Sequence, residues 1–207
     1  MRDDLLYLIT DRHACGADRL VVRVRQALEG GVRLVQLRER DLSDAELLRL
    51  AQPMRKICGE FEARLIVNRR LSVALAAGAD GLHVGADQIP LLGDLRAIAQ
   101  RPILIGVSTH SVAEAEAAER AGADFVTLGP VYETPSKAGM GEPLGPTEVG
   151  RGVKACRIPV FGLGGVSVDR LDEMKRAGIG RISVIRAVLA AADPAQAAAD
   201  LLARLRS

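Results

Sequence analysis

The sequence predicts an α/β fold in which eight short parallel strands close into a (β/α)₈ barrel, the TIM barrel. Eight apolar runs, each too short for a helix, recur along the 207 residues, and amphipathic segments separate them. The nearly continuous apolar character of each run is typical of strands that are buried on both faces. Right-handed βαβ connections between such units favour a closed barrel, with a doubly wound open sheet as the alternative.

The predicted strands lie at residues 5–10, 33–37, 64–67, 81–84, 103–107, 125–129, 160–164 and 181–185. Capping signals in the sequence also mark the ends of the helices between these strands. Ser43 followed by Glu46 has capping-box spacing at the start of a helix over residues 43–60, and Ser111 followed by Glu114 repeats it. Glycines stand just before several strands, at the position where helices commonly end.

Length and composition limit the class of protein. One barrel domain over residues 1–207 accounts for the length, since domains typically contain about 50–250 residues. The chain is 48% hydrophobic but only 2% aromatic, which predicts a core of Ala, Leu, Ile and Val. The net charge of +2 is too balanced to predict a surface for nucleic acid or for an anionic membrane. Without a leader-like start or a membrane-spanning apolar stretch, we expect a cytoplasmic protein.

The cysteines and histidines do not form a recognisable ligand pattern. Cys15, Cys58 and Cys156 are odd in number and widely spaced, so we expect inert buried thiols rather than disulfides or a zinc site. The chain has three His and no pair at i, i+4, which argues against a histidine-rich metal site. His83, on a buried strand, is expected to be structural.

Polar side chains follow several of the predicted strands. They are Arg38, Glu39 and Arg40 after the second strand, Asn68, Arg69 and Arg70 after the third, and Ser108, Thr109 and His110 after the fifth. The carboxyl ends of barrel strands meet at one rim, where active sites lie, so we expect these side chains to converge. The alternative is that each is a solvated charge at the end of a strand.

Two further segments have the composition of a phosphate site. The long irregular segment over residues 132–147 offers hydroxyls, an ammonium group and glycines. The seventh strand ends in Gly-Gly, and barrels often bind phosphate on the loops after strands seven and eight. Together these segments predict a small phosphorylated ligand, although the Gly-Gly pair could also serve close packing. The residues concerned are Thr134, Ser136, Lys137, Gly164, Gly165 and Arg186.

Several stretches carry a family resemblance: VQLRERDLS at 35–43, IVNRR at 66–70, IGVSTHS at 105–111, LGPVYETPSKAG at 128–139 and IPVFGLGGV at 158–166. In order and spacing they resemble the thiamin phosphate synthase/TenI family over nearly all of the chain. The resemblance implies a (β/α)₈ barrel enzyme that binds a thiazole phosphate. Synthases join this ligand to hydroxymethylpyrimidine diphosphate with Mg²⁺ and release pyrophosphate, whereas TenI-like members are metal-free thiazole tautomerases.

The resemblance also assigns residues by position. It places Thr134, Ser136, Lys137, Gly165, Ile185 and Arg186 at the thiazole phosphate and pyrophosphate, Gln36, Arg38, Arg40 and Asn68 at the pyrimidine diphosphate, and Ser108 near the reacting atoms.

Three positions depart from the synthase pattern. Synthases carry one Asp after the Asn that ends the third strand and another in Gly-Gln-x-Asp after the fourth, and these carboxylates hold Mg²⁺. This chain has Arg69 and Gln88 there, with Asp87 one residue out of register. Because Mg²⁺ requires hard anionic oxygen ligands, an Arg at a ligand position repels it. Arg186 stands where synthases carry Ser, and a second guanidinium favours an anion bound without metal.

These departures predict a TenI-like, metal-independent thiazole tautomerase without a cofactor, in which Glu133 or Glu39 moves the proton. Pro130 does not fit, because TenI proteins carry their catalytic His there. Two alternatives stay open: a thiamine phosphate synthase that binds Mg²⁺ with the help of Asp87, and a non-catalytic thiazole-phosphate-binding or regulatory paralogue. Each of the three takes a small phosphorylated ligand, and a homodimer is one option for the assembly.

Overall fold

The computed structural model describes residues 4–134 and 142–207. Its eight parallel strands close into a barrel in sequence order, and Leu6 of the first strand pairs with Ile182 of the last. The strands are β1 (Leu6–Ile9), β2 (Leu34–Leu37), β3 (Arg64–Asn68), β4 (Gly81–Gly85), β5 (Leu104–Thr109), β6 (Phe125–Leu128), β7 (Val160–Leu163) and β8 (Ile182–Val184). All eight lie at the predicted places, so the barrel prediction is confirmed and the open-sheet alternative is wrong.

Helices alternate with the strands and bury one face against the outside of the barrel. In the described part of the chain they are α1 (Leu20–Glu29), α2 (Asp44–Glu60), α3 (Leu71–Ala76), α4 (Leu92–Ala99), α5 (Val112–Arg120), α6 (Gly145–Ala155), α7 (Leu171–Arg176), α8 (Arg186–Leu189) and α9 (Pro194–Arg206). None of the helices within residues 4–134 and 142–207 is both long enough and apolar enough to cross a membrane.

The two predicted capping boxes differ in outcome. At α2 the Ser43 side chain accepts from the Glu46 N–H at 3.4 Å, and the Glu46 carboxylate accepts from the Ser43 N–H at 2.8 Å, so the box is confirmed. At α5 the Ser111 hydroxyl caps the Glu114 N–H at 3.1 Å, but the Glu114 carboxylate accepts from the His110 N–H at 2.7 Å. The second prediction is therefore correct for the serine and wrong for the reciprocal bond.

An aromatic layer fills the inside of the barrel. Successive strand residues face opposite sides, and the inward-facing Tyr7, His83, Phe125 and Phe161 meet with ring centroids 5.4 to 5.8 Å apart. Gly106 leaves room for them, because a Cβ there would lie 2.3 Å from Phe125 Cζ. The prediction of an aliphatic core therefore holds between strands and helices but is incomplete inside the barrel, where large rings join Leu34 and Ile66 and fill space that small side chains would leave empty.

The cysteines are free thiols, as the sequence predicts, but only two of the three, Cys15 and Cys58, are buried and Cys156 is partly exposed. Burial raises the pKa of each thiol, that of Cys58 to about 12, because a low-dielectric interior disfavours the thiolate. Few of these thiols are ionised at neutral pH, which keeps them unreactive.

Candidate functional site

A cavity of about 820 Å³ opens at the carboxyl ends of the strands. This volume falls in the range of about 300–1,000 Å³ that is typical of small-molecule sites. Inward-facing residues above the aromatic layer form its floor, and every strand supplies one. They are Ile9, Gln36, Asn68, Gly85, Ser108, Thr127, Leu163 and Ser183. Arg38, Arg40, Glu133, Thr134, Gly164, Gly165, Ile185 and Arg186 line it further out, so most of the predicted site residues do converge.

A chain of hydrogen bonds connects the cavity floor to the aromatic layer. Gln36 Nε2 donates to the Tyr7 hydroxyl at 2.8 Å, and that hydroxyl lies 3.3 Å from His83 Nδ1. The other ring nitrogen, His83 Nε2, lies 2.9 Å from Ser108 Oγ. His83 is therefore a buried support for the Ser108 hydroxyl, and Ser108 and Gln36 face the cavity directly.

The buried imidazole should make folding stability depend on pH. Burial, and then the charges of Arg38 and Arg69, lower the pKa of His83 to about 3. The unfolded chain, with a His pKa of about 6.5, binds this proton more strongly, so stability falls as the pH drops from about 6.5 towards 3. Between pH 7 and pH 5 the loss from this one group is about 2 kcal/mol. Denaturant unfolding at both pH values measures this loss of stability. The His83→Gln variant should lose about 2 kcal/mol less than wild type over the same pH range, because it lacks the titrating imidazole. An equal loss in the variant would contradict the prediction.

Basic side chains after β2 and β3 form one wall of the cavity, which we call the β2/β3 wall (Arg38, Arg40 and Arg69). The Arg38 backbone N–H donates to Thr10 Oγ1 at 2.9 Å, which fixes the turn after β2. Arg38 is half-buried, and burial, followed by the charge of Arg40, lowers its pKa. Neither Arg38 nor Arg40 has an ion pair with any described residue, so an anion in the cavity would relieve their mutual repulsion.

The third member of this wall is held by a carboxylate. Both Arg69 Nη atoms donate to Asp87, at 3.1 and 2.7 Å, in the bidentate geometry that suits guanidinium and carboxylate. The hydrogen bond from Arg69 lowers the pKa of Asp87. The Arg69 backbone is in the left-handed region, at φ 59°, and its N–H donates to the His83 carbonyl at 2.8 Å.

The donors in this region do not fit Mg²⁺. Asp87, the carboxylate proposed as a ligand, is already paired with the cationic Arg69. The Gln88 Oε1 atom is buried without a hydrogen-bond partner among the described residues, but it is a neutral oxygen. Within residues 4–134 and 142–207 no group of three His, Cys, Asp or Glu side chains could hold a metal ion. A divalent cation at Asp87 would face the Arg69 guanidinium, which is repulsive.

Residues after β7 form a second wall, whose glycines both pack closely and line the cavity. A Cβ on Gly165 would lie 2.7 Å from Tyr132 Cβ and 2.8 Å from the Glu133 carbonyl oxygen. Gly164 and Gly165 also adopt φ values of 107° and 64°, which favour glycine. Arg170 Nη1 donates to the Gly165 carbonyl at 2.6 Å, and its guanidinium stacks 4.4 Å from the Tyr132 ring centre. The sequence analysis missed Arg170, which lies beyond the strand end.

The turn after β8 completes what we call the β7/β8 wall (Gly164, Gly165, Arg170 and Arg186). Arg186 is the first residue of α8 and reaches the cavity with Ile185. On the floor beside it, the Ser183 hydroxyl is buried without a hydrogen-bond partner among the described residues and is available to a ligand. Ser167 precedes the short 3₁₀ turn that leads into α7, its hydroxyl makes no cap bond there, and it lines the cavity.

The two carboxylates proposed for proton transfer have different surroundings. Glu133 is exposed and lines the cavity. Glu39 is buried, but it accepts from Thr10 Oγ1 at 2.6 Å and from the Arg12 N–H at 3.1 Å. It lines a separate pocket of about 350 Å³ rather than the cavity. The proposal of Glu39 as a cavity base therefore needs correction, because neighbouring residues of an extended chain point to opposite sides and Arg38 takes the inward side.

The predicted phosphate loop is only partly within the described chain. Thr134 lines the cavity, whereas Ser136 and Lys137 lie outside the described residues. The segment predicted to be irregular over residues 132–147 ends earlier than expected, because α6 begins at Gly145.

Comparisons with known proteins agree with the fold. The family model described as thiamine monophosphate synthase matches residues 6–188. A relative from Geobacter sulfurreducens, provisionally named a thiamine-phosphate synthase, is 48% identical, covering 98% of this chain and 95% of that protein. The thiamine-phosphate synthase of Methanospirillum hungatei is 40% identical, with 95% and 97% covered. The structure of a thiamine phosphate pyrophosphorylase from Pyrococcus furiosus has a TM-score of 0.87 at 33% identity, with 99% of this chain and 97% of that one covered.

The names of these relatives bear on the three functions left open by the sequence. All three relatives are named as synthases or pyrophosphorylases, one of them provisionally, so the comparisons favour the synthase alternative over the TenI-like tautomerase that was predicted first. The match extends over nearly the whole barrel, including all the strands that line the cavity. The chain is an enzyme and belongs to the thiamin phosphate synthase/TenI family.

Proposed function

We propose that this chain is a thiamine-phosphate synthase, which joins a thiazole phosphate to hydroxymethylpyrimidine diphosphate and releases pyrophosphate. One observation carries the proposal: a single cavity has two separate basic walls. The β2/β3 wall and the β7/β8 wall are separated by β1 on one side and by β4 to β6 on the other.

Two basic walls suit two anionic substrates. A guanidinium pairs well with phosphate oxygens, and each wall supplies at least two guanidinium groups. An enzyme that binds one monophosphate needs only one such wall, whereas a transferase must hold the diphosphate of one substrate and the phosphate of the other. Holding both reactants in one cavity converts a bimolecular step into an effectively unimolecular one. The named relatives support the same choice.

The two walls suggest how the reaction is arranged. The diphosphate would lie against Arg38, Arg40 and Arg69, and the thiazole phosphate against the β7/β8 wall. The thiazole nitrogen forms a bond to the methylene carbon of the pyrimidine, and the bond from that carbon to the diphosphate oxygen breaks. The leaving group carries away the electron pair of the broken bond, so positive charge beside it lowers the barrier. Gln36 and Ser108, on the floor between the walls, would orient the pyrimidine.

A metal-free thiazole tautomerase is the second candidate, and one observation favours it. Glu133 is a carboxylate within the same cavity and could move a proton between positions on a bound thiazole. Such an enzyme would need the β7/β8 wall for the phosphate and would place at most the ligand's carboxylate, not a diphosphate, against the β2/β3 wall. Glu133→Gln should then abolish isomerisation of a carboxylated thiazole phosphate, whereas a synthase should retain most of its activity in the same variant.

The test supplies both substrates and measures thiamin phosphate and pyrophosphate by chromatography and mass spectrometry. We expect the two products in equal amounts, because one bond forms for each that breaks. The carboxylated thiazole phosphate is incubated separately and followed by proton NMR. Isomerisation of that compound without any thiamin phosphate would favour the tautomerase, and neither reaction would favour a binding protein.

A further inference from the structure

We propose that Arg69, held in place by Asp87, supplies the positive charge that the diphosphate requires, so that the reaction proceeds without a divalent cation. This inference rests on the proposed synthase function. It follows from the mismatch between the donors present and a metal ion, since Asp87, the carboxylate predicted as a ligand, is bonded to a guanidinium.

The position of Arg69 is well defined by its neighbours. Its backbone N–H bonds to β4, and its side chain lies with Asp87 directly over Gly85. A Cβ on Gly85 would lie 2.3 Å from Arg69 Nη2 and 2.2 Å from Asp87 Oδ1, so the pair occupies the space that a larger residue would fill. A guanidinium held in this way loses little further freedom when a ligand binds.

Arg69 also has the donors and the surroundings that a diphosphate needs. A guanidinium carries five N–H donors, and the two bonds to Asp87 leave the others for phosphate oxygens. Arg69, Arg40 and Asn68 line both the main cavity and the adjoining pocket beside Glu39. A ligand with two linked phosphates could therefore extend along the line where the two spaces meet.

The charge balance favours an anion over a cation at this position. The β2/β3 wall carries three guanidinium groups, and Asp87 is the only carboxylate among the described residues that pairs with any of them. Asp11 and Glu39 act on Arg38 only without forming an ion pair with it, and Glu39 is itself paired with Arg12. The three guanidinium groups therefore still outnumber Asp87 and Asp11, the carboxylates that line the cavity beside them, and a bound metal ion would add to this positive charge. A diphosphate would instead neutralise the wall without an added cation.

The experiment combines calorimetric binding of inorganic pyrophosphate with single-turnover formation of thiamin phosphate, each in EDTA and in Mg²⁺. The variant is Arg69→Asn, because Asn tolerates the left-handed backbone at this position. Exposed ion pairs contribute little to stability, so the variant should stay folded, and circular dichroism checks this. Arg25→Gln removes an exposed Arg–carboxylate pair from the outer surface and serves as the matched control.

We expect wild-type enzyme to bind pyrophosphate and to form product in EDTA, with rates within about threefold of those in Mg²⁺. Arg69→Asn should weaken pyrophosphate binding in EDTA by about 10- to 100-fold, the loss expected for charge-assisted hydrogen bonds, and Arg25→Gln should match wild type. Product that forms only with Mg²⁺, or pyrophosphate binding in EDTA that is absent or insensitive to Arg69→Asn, would overturn the inference.

Failure of the synthase proposal looks different. In that case neither EDTA nor Mg²⁺ yields thiamin phosphate, while Arg69-dependent pyrophosphate binding in EDTA would still support the anion-binding role of Arg69.

Discussion

Arg38→Met should lower kcat/KM for the diphosphate substrate by about 10- to 100-fold, because it removes charge-assisted hydrogen bonds to the leaving group. Arg38 is half-buried and has no carboxylate ion pair among the described residues, so its charge is directed to a ligand rather than to the fold. Met has an unbranched apolar side chain of a volume similar to that of Arg, so the substitution removes mainly the charge and the hydrogen-bond donors. The KM for thiazole phosphate should stay within about twofold of wild type, because distant sites act nearly independently.

Arg186→Met provides the reciprocal measurement. It should raise the KM for thiazole phosphate by about tenfold and leave the KM for the diphosphate within about twofold, since Arg186 lies on the other wall. Steady-state kinetics with each substrate varied in turn measures both effects. Arg120→Met, on the exposed end of α5, is the control and should change neither constant. If both wall variants impaired the same substrate, the cavity would not hold two separate anion sites.

Phe125→Ala should lower the free energy of unfolding by about 3–5 kcal/mol, the usual cost of removing a buried phenyl ring. Phe125 is fully buried and packs edge-to-face against Tyr7 and Phe161, with centroids 5.4 and 5.8 Å away. The barrel strands are hydrogen-bonded on both sides, so they cannot move inward to fill the space. Denaturant titration at neutral pH measures the loss.

The matched control for this variant is Phe61→Ala. Phe61 lies at the end of α2, half-buried, with the Arg25 guanidinium 5.7 Å from its ring centre. Removing it should cost about 1–2 kcal/mol, because the ring is only partly buried against the core and its cation–π contact contributes about 0.5–1 kcal/mol. Equal losses in the two variants would mean that the aromatic layer supports the barrel no more than a partly buried ring does.

The sequence predicted the family and the position of the site more completely than it predicted the reaction. The family match confirms the resemblance over nearly the whole chain. Arg38, Asn68 and Ser108 reach the cavity as expected, because inward-facing residues at the ends of parallel strands must meet at one rim. The exact reaction was harder to predict from the sequence. The replacement of the synthase carboxylates by Arg69 and Gln88 argues against a bound metal ion, but it does not show how many anions the cavity can hold.

The structure corrects the predicted site where the sequence could not tell whether a side chain faces the cavity or the opposite side of the chain. Glu39 and Arg38 are both polar residues after β2, and strand-end position does not tell which faces the cavity. Contacts with Thr10 and Arg12, from the loop after β1, hold Glu39 on the other side. Arg170 was missed because only the folding of its loop against Tyr132 brings its guanidinium to the cavity.

By itself, the sequence determined the eight strands, the helices between them and the strand ends that carry the site, and it favoured a closed barrel over an open sheet. These features follow from local hydrophobic period and helix-end signals, which act between residues close in the chain. Only the tertiary structure decided which polar groups pair, as in Tyr7 with His83, 76 residues apart, and Arg69 with Asp87, 18 apart. The Tyr7–His83 pair depends on the closed barrel, because β1 and β4 are not neighbours and meet only across its interior. Arg69 and Asp87 meet because β3 and β4 are hydrogen-bonded side by side and the turns after them fold towards each other.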